Sequence, residues 1–179
     1  MRIIAGKARG LKLKTPRGMS TRPTADRVKE SLFGVLTCMI DFADRTVLDL
    51  FAGSGALGLE SLSRGAQSAV FVDKSSADCI TDNAQRAKFE RVEVIRADVF
   101  RALERLSGRQ FDLIFIDPPY HFGLAQRSID LITEKNLLST DGLLIVESGA
   151  DENISSTLNK IRRLEYGRTT AIEIFGRQS

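Results

Sequence analysis

The sequence predicts an α/β fold built on an open, mainly parallel sheet, and three observations carry that expectation. From residue 46 onward, short apolar runs alternate with helical stretches. A glycine-rich turn follows the first of those runs, and four successive runs have an aspartate at or within two residues of their end. Repeated β-α units force right-handed crossovers and a sheet covered on both faces.

The elements follow in order. Ile3-Ile4-Ala5 and Leu11-Lys12-Leu13 are strand-like runs separated by Gly6 to Gly10, which suits a small hairpin. A loop with Pro16, Gly18 and Pro23 comes next. Thr24 is a candidate N-cap, with Asp26 in the first turn where a negative charge suits the helix dipole. Val28, Leu32, Val35, Leu36, Met39 and Ile40 recur at helical spacing and mark a helix that buries one face. Thr46 to Leu50, Ala69 to Asp73, Val92 to Arg96, Phe111 to Asp117 and Gly142 to Glu147 are the predicted strands. Helices are expected to start near Ala56, Ser75, Val99 and Gly123. Ile161 to Leu164 and Thr169 to Phe175, around Gly167, predict an antiparallel hairpin at the sheet edge. The expected organisation is a basic hairpin arm over residues 1–23 and one α/β domain over residues 24–179.

Composition narrows the setting. With 42% hydrophobic and 27% charged residues, the 179-residue chain has the balance of a soluble globular domain. No segment approaches the roughly 20 apolar residues of a membrane span. The N-terminus lacks the long apolar stretch of a signal peptide. Cys38 and Cys79 form neither a disulfide framework nor a metal-spaced cluster, so a reducing cytoplasm and no metal are expected. The net charge of +3 conceals an asymmetry: residues 1–30 carry +7 and the remainder −4. Glycines and apolar residues interleave those basic side chains, which favours a folded arm facing a polyanion over a solvated tail.

Asp49-Leu50-Phe51-Ala52-Gly53-Ser54-Gly55-Ala56-Leu57-Gly58 sets G-x-G-x-x-G between a strand and a helix, a Rossmann-like arrangement. Asp73 lies 20 residues after Gly53, where a carboxylate can hold ribose hydroxyls. A dinucleotide would set its diphosphate against this turn. Asp49, just before the turn, would oppose a diphosphate but suit the ammonium or sulfonium of S-adenosylmethionine. Asp98 adds an acid near the expected adenine edge, although it could equally cap the helix starting at Val99. Asp49, Asp73, Asp98 and Asp117 thus end four successive strands at one sheet edge, where open α/β folds bind ligands.

Phe111 to Tyr120 ends in Asp117-Pro118-Pro119-Tyr120. Consecutive prolines fix φ and remove two donors, leaving rigidly placed carbonyls. Asp117 and the Pro118 carbonyl can accept both hydrogens of an –NH₂ group, and Tyr120 can stack on the ring that carries it. An aromatic amine is a poor nucleophile, and acceptors that favour its pyramidal, positively charged form lower the barrier to methylation. The alternative is a turn that merely stops a strand. Methylation at pyrimidine C5 needs a thiol nucleophile, and neither cysteine lies near this turn. His121, the single histidine, could line the pocket or sit at the loop tip.

Asp49 to Gly55 with Asp117 to Tyr120 resembles the class I amino-methyltransferases of nucleic acids. Arg2 to Lys7, Arg22 to Phe33 and Leu57 to Ala66 are closer still to the bacterial 16S ribosomal RNA (guanine-N2)-methyltransferase family, along nearly the whole chain. The resemblance implies that Asp49, Phe51, Gly53 and Gly55 surround the methionine part of S-adenosylmethionine. It implies Asp73 at the ribose, Asp98 with Val99 at the adenine, and Asp117 to Tyr120 at the target base. It turns the hairpin and the Arg-Pro-Thr segment toward RNA, making Arg9, Arg22 and Arg27 candidates for phosphate contact. Arg27 could instead brace its helix against acidic residues. The aromatic at position 120 varies in this family. The implied partner is ribosomal RNA or a small-subunit particle; the sequence does not determine the oligomeric state, and a monomer is the expectation. Rival expectations are an adenine-N6-methyltransferase, a nucleotide-binding dehydrogenase and a non-catalytic RNA-binding module. The first usually needs an added recognition region, whereas a structured RNA can be recognised by shape.

Overall fold

Apolar side chains on both faces of a strand can be buried only in a sheet covered on both sides. The computed structural model, which describes residues 1–16 and 23–177, has that arrangement. Among those residues the order is α1 (Pro23–Met39), β1 (Thr46–Leu50), α2 (Ala56–Ser63), β2 (Ser68–Val72), α3 (Ala77–Arg86), β3 (Val92–Ile95), α4 (Val99–Arg105), β4 (Phe111–Ile116), α5 (Leu124–Glu134), β5 (Leu138–Gly149), β6 (Asn159–Tyr166) and β7 (Thr170–Gly176). The strands lie in the order β3-β2-β1-β4-β5-β7-β6. Strands β1 to β5 pair in parallel, and β7 pairs antiparallel with both β5 and β6. The chain runs outward from β1 to β3, then crosses back to β4. That reversal opens a crevice between the carboxyl ends of β1 and β4.

Each sheet face has its own core. Val47, Phe71, Phe115, Ile145 and Ile174 meet α1, α2 and α3 through Leu32, Phe33, Leu36, Leu59 and Ile80. Leu48, Val70, Ile114, Val146 and Phe175 meet α4 and α5 through Leu103, Ile129 and Ile132. Helix α1 starts at Pro23, so Thr24 lies inside the helix and is not its N-cap. Proline suits the first helical position because its φ is already helical and the N–H it lacks has no partner there.

The N-terminal hairpin is present and docked. Ile3 donates to the Leu11 carbonyl, Gly10 to the Ile3 carbonyl and Leu13 to the Met1 carbonyl, and Arg2 bridges Lys12. Ile3 and Leu13 are buried in the core beside α1. Gly6 has φ +80, and a Cβ there would stand 1.7 Å from the Ser63 carbonyl oxygen, so only glycine permits this approach to α2. Glu60 of α2 is 0% exposed and accepts from Ile4 N at 2.7 Å, Ala5 N at 3.1 Å and Arg64 Nε at 2.9 Å. Lys29 of α1, 3% exposed, approaches the same carboxylate at 3.2 Å and donates to the Arg2 carbonyl at 2.6 Å. At the other end of the arm, buried Asn83 accepts from Lys14 N at 2.7 Å and donates to the Lys14 and Ser54 carbonyls. The arm is therefore tied to the helix that follows the glycine turn and to the turn itself.

Glu60→Ala leaves the Lys29 ammonium buried without its counter-charge and two backbone amides without an acceptor. Breaking such a pair costs about 3–5 kcal/mol, or roughly 6–20 °C of melting temperature for a chain of this size. Calorimetry should show that loss, and limited proteolysis should cut within the first 16 residues before the sheet is attacked. A melting temperature within a few degrees of the parent would refute the clamp.

Candidate active site

Strand register builds the site. Asp49 pairs with Phe71 on one side and Phe115 on the other, and Phe115 pairs with Ile145. Side chains two residues apart share a face, so Asp73, Asp117 and Glu147 stand one step beyond that row, toward the carboxyl edge. All four carboxylates fall on the face covered by α1, α2 and α3, around the crevice between β1 and β4.

Asp49 is the deepest, at 1% exposed, and accepts from Gly58 N at 2.9 Å through Oδ2. No cation pairs with it among the described residues. Burial pushes its carboxyl up from 3.8 to about 7, against the Gly58 hydrogen bond and with help from the Asp73 charge. A Cβ at Gly58 would stand 2.4 Å from the Phe71 ring and 3.2 Å from Asp49 Oδ2, so the third glycine serves packing of α2 on the sheet.

The turn above Asp49 is left-handed at Phe51, Gly53 and Gly55, with φ of 57°, 56° and 77°. Gly53 donates its N–H to Asp73 Oδ2 at 3.0 Å. The other Asp73 oxygen accepts from Ser75 N at 2.8 Å and Ser76 N at 2.7 Å. These bonds hold Asp73 half-exposed at the end of β2. Asp98 is the N-cap of α4, its Oδ1 accepting from Phe100 N at 3.1 Å and Arg101 N at 3.3 Å, which is the alternative weighed for it. The Val99 side chain is buried in the core under α4, so its backbone rather than its side chain can face a ligand.

Asp117 follows β4 and stays exposed to solvent on its open side, and no described residue donates a hydrogen bond to its carboxylate. Crowding by surrounding protein raises its pKa, and the charges of Glu147 and Asp49 raise it further. Solvent on the open side moderates the burial contribution. Pro118 is buried and Pro119 exposed, so the turn is anchored by its first proline. The Tyr120 hydroxyl donates to Glu147 Oε1 at 2.5 Å and lies 3.4 Å from Thr170 Oγ1. Burial and that bond to Glu147 push the phenol pKa up, while burial raises Glu147 against the same bond. His121 lies exposed at the loop with φ 67°, and Phe122 beside it is 74% exposed.

Arg9 and Arg27 are exposed and join no ion pair among the described residues, so the bracing alternative for Arg27 finds no acidic partner there. Arg22 lies outside the described residues. Sequence reasoning passed over Glu147, Glu60, Asn83 and Phe122. Glu147 carried a usable signal, because it closes a predicted strand as the aspartates close theirs.

A family model described as Conserved hypothetical protein 95 matches residues 1–175. The Ribosomal RNA small subunit methyltransferase D of Haemophilus influenzae is 41% identical over 164 residues, covering 89% of this chain and 84% of that one. The solved structure of yhhF from Escherichia coli is 32% identical with a TM-score of 0.86, over 100% of this chain and 99% of that one. A more distant solved structure, SMU.776 complexed with SAH, shares the fold at 18% identity and a TM-score of 0.66, over 87% of this chain and 50% of that one.

The buried carboxylate at Asp49 makes a prediction of definite sign. Folded Asp49 keeps its proton to about pH 7, whereas the unfolded chain loses it near 3.8. Its contribution to stability therefore falls as pH rises through that window and stays low above it. Asp49→Asn keeps an acceptor for Gly58 and carries no charge. Urea unfolding should show the variant gaining on the parent between pH 4 and 7, by up to about 4 kcal/mol at the plateau. A difference that does not change with pH would refute the unpaired buried charge.

Proposed function

The chain belongs to the family described as Conserved hypothetical protein 95, and from that premise we propose that it is an S-adenosylmethionine-dependent methyltransferase that modifies the exocyclic N2 of a guanine in 16S ribosomal RNA. Methylation of ribosomal RNA is what the name of its 41%-identical relative states. The observation that carries the site chemistry is the row of carboxylates along the crevice. Asp49, buried with no cation paired to it among the described residues, fits a positively charged ligand beside the glycine turn. Asp117, open and unbonded on a proline-stiffened turn, fits an amine.

When bound, the cofactor supplies an electrophilic methyl group on a positively charged sulfur. The chain supplies the rest. The Asp49 carboxylate and the backbone of Phe51 to Gly55 would hold the cationic end, Asp73 the ribose, and Asp98 and Val99 the adenine edge. A diphosphate in place of that cation would face Asp49 with like charge, which disfavours a dinucleotide. Asp117 and the Pro118 carbonyl would accept the two hydrogens of the target amine and turn its lone pair toward the donor. As nitrogen becomes tetrahedral and cationic, the Asp117 carboxylate stabilises it and takes up the departing proton. Its raised pKa suits that task.

Residues 1–23 would act as the RNA-recognition arm, with Arg9 and Arg22 on phosphates and Arg27 of α1 beside them. Such an enzyme works where ribosomes are assembled, in the cytoplasm, and no helix among the described residues is long and apolar enough to cross a membrane.

Incubation with S-adenosylmethionine and small-subunit RNA from cells lacking this protein should yield N2-methylguanosine, located by mass mapping of nucleosides. Asp117→Ala should lower single-turnover methylation about a hundredfold or more, the scale of one preorganised polar group. Affinity for S-adenosylhomocysteine should stay within severalfold of the parent. Methylated adenosine in place of methylated guanosine, or a near-normal rate for the variant, would overturn the reading. Arg9→Ala with Arg27→Ala should weaken RNA binding and flatten its salt dependence by about two phosphate contacts; an unchanged slope would give the arm another task.

A further inference from the structure

Guanine and adenine both carry an exocyclic amine, so an acceptor for that amine does not distinguish them. The neighbouring ring position does. Guanine sets an N1–H donor beside its N2 amine, whereas adenine sets a bare N1 acceptor beside its N6 amine. An enzyme that extrudes a base reads it along this edge. A site for guanine therefore needs a second acceptor next to the first, and a site for adenine needs a donor.

We propose that Glu147 is that second acceptor, receiving the N1–H of the target guanine while Asp117 receives its N2 amine. The inference rests on the guanine-N2 reading of the site. Its ground is geometric. Ile116 pairs with Val146 in the parallel ladder of β4 and β5, so Asp117 and Glu147 are the next pair in register. Neighbouring strands run about 4.8 Å apart, and paired side chains in a parallel ladder share a face. The two carboxylates thus stand side by side on the face that carries Asp49. They are close enough that the charge of Glu147 raises the pKa of Asp117.

The second ground is orientation. Tyr120 donates its hydroxyl to Glu147 Oε1 at 2.5 Å, and Thr170 Oγ1 lies 3.4 Å behind that hydroxyl. The bond fixes which Glu147 oxygen faces the tyrosine. The other, Oε2, accepts no hydrogen bond among the described residues. With Oε1 held, a base edge would meet an oxygen that can only accept when ionised. Guanine offers it N1–H, and adenine would offer it a lone pair. A site built for an N–H rejects an analogue without one because its own acceptor is left unpaired.

The test uses small-subunit RNA assembled with 2-aminopurine in place of the mapped guanine. That base keeps the N2 amine and presents N1 as a bare acceptor. The parent enzyme should methylate it about a hundredfold more slowly than guanine, in line with one lost charge-assisted hydrogen bond. In Glu147→Gln the Tyr120 hydroxyl would hold the amide oxygen and turn the –NH₂ to the base. Methylation of guanine should then fall about a hundredfold and methylation of 2-aminopurine should rise above the parent's. If Glu147 served only to anchor Tyr120, the glutamine would keep that anchor and leave both rates near the parent's. Equal parent rates on the two bases would overturn the proposal without any variant. Affinity for S-adenosylhomocysteine, measured alongside, shows that the variant is folded. A parent enzyme that leaves guanine unmethylated defeats the reading beneath it, whereas guanine methylation with indifference to N1 defeats this proposal alone.

Discussion

The burial of the Glu60 charge is the constraint on which the placement of the other parts depends. A carboxylate at 0% exposure is tolerable only when every lone pair that faces protein is met. Here the donors come from three segments: Ile4 and Ala5 of the hairpin, Lys29 of α1, and Arg64 at the C-cap of α2. Replacing such a network by apolar groups is often neutral for stability, so its weight lies in specifying one docking. Lys29 shows the tension: burial pulls its ammonium pKa down while the Glu60 carboxylate pushes it up. The helix that carries Glu60 begins at Ala56, directly after the glycine turn. A hairpin that presents Arg9 is thereby held at a set distance from the crevice where methyl transfer is proposed.

The second constraint is electrostatic and belongs to the sheet. Parallel register places Asp49, Asp73, Asp117 and Glu147 on one face, where burial raises the pKa of Asp49 and Asp117 and their mutual repulsion raises it further. Only Asp73 is fully engaged, by three backbone amides. A fold that buries Asp49 with no cation beside it among the described residues gives up stability at neutral pH. Such a local sacrifice fits the proposed binding of a cationic ligand, whose charge would offset it. The gradient along the row also divides the work. In the proposed reading the deep acid would face the cation, the amide-bonded acid the neutral hydroxyls, and the two acids beyond β1 the base.

Much of this was legible in the residues. Strands β1 to β4 fall within a residue of the apolar runs: burial leaves few polar positions to blur the ends of β1, β2 and β4, and the edge strand β3, with no fully buried residue, is marked by Val92, Val94 and Ile95. The glycine turn and Asp117 announced themselves by residue type and spacing. Strand β5 was read short, from residue 142, because Ser139, Thr140 and Asp141 break its apolar run where the pairing with β4 shifts register between Leu138 and Leu143. Strand β6 is exposed along most of its length, so burial imposed no alternation on it. Glu60 and Asn83 could not be told from solvated helix residues, since what makes them structural is a partner more than 50 positions away. Asp98 was readable as either cap or ligand contact, and its bonds to Phe100 and Arg101 make it at least the cap.

Tyr120 shows why a motif's residue types understate what its geometry does. Read as a string, Asp-Pro-Pro-Tyr offers an acceptor, a stiff turn and an aromatic platform. In the structure the tyrosine also reaches across to β5, and its hydroxyl fixes a carboxylate that lies 27 positions later in the chain. The prolines make this possible, because a turn with φ fixed at two successive residues delivers the ring to one place. Their rigidity therefore acts twice, once on the acceptor at Asp117 and once, through Tyr120, on Glu147. A phenylalanine at position 120 would keep the platform and release the carboxylate. In the proposed reading, the hydroxyl is the part of the motif that would connect holding an amine to recognising the ring that bears it.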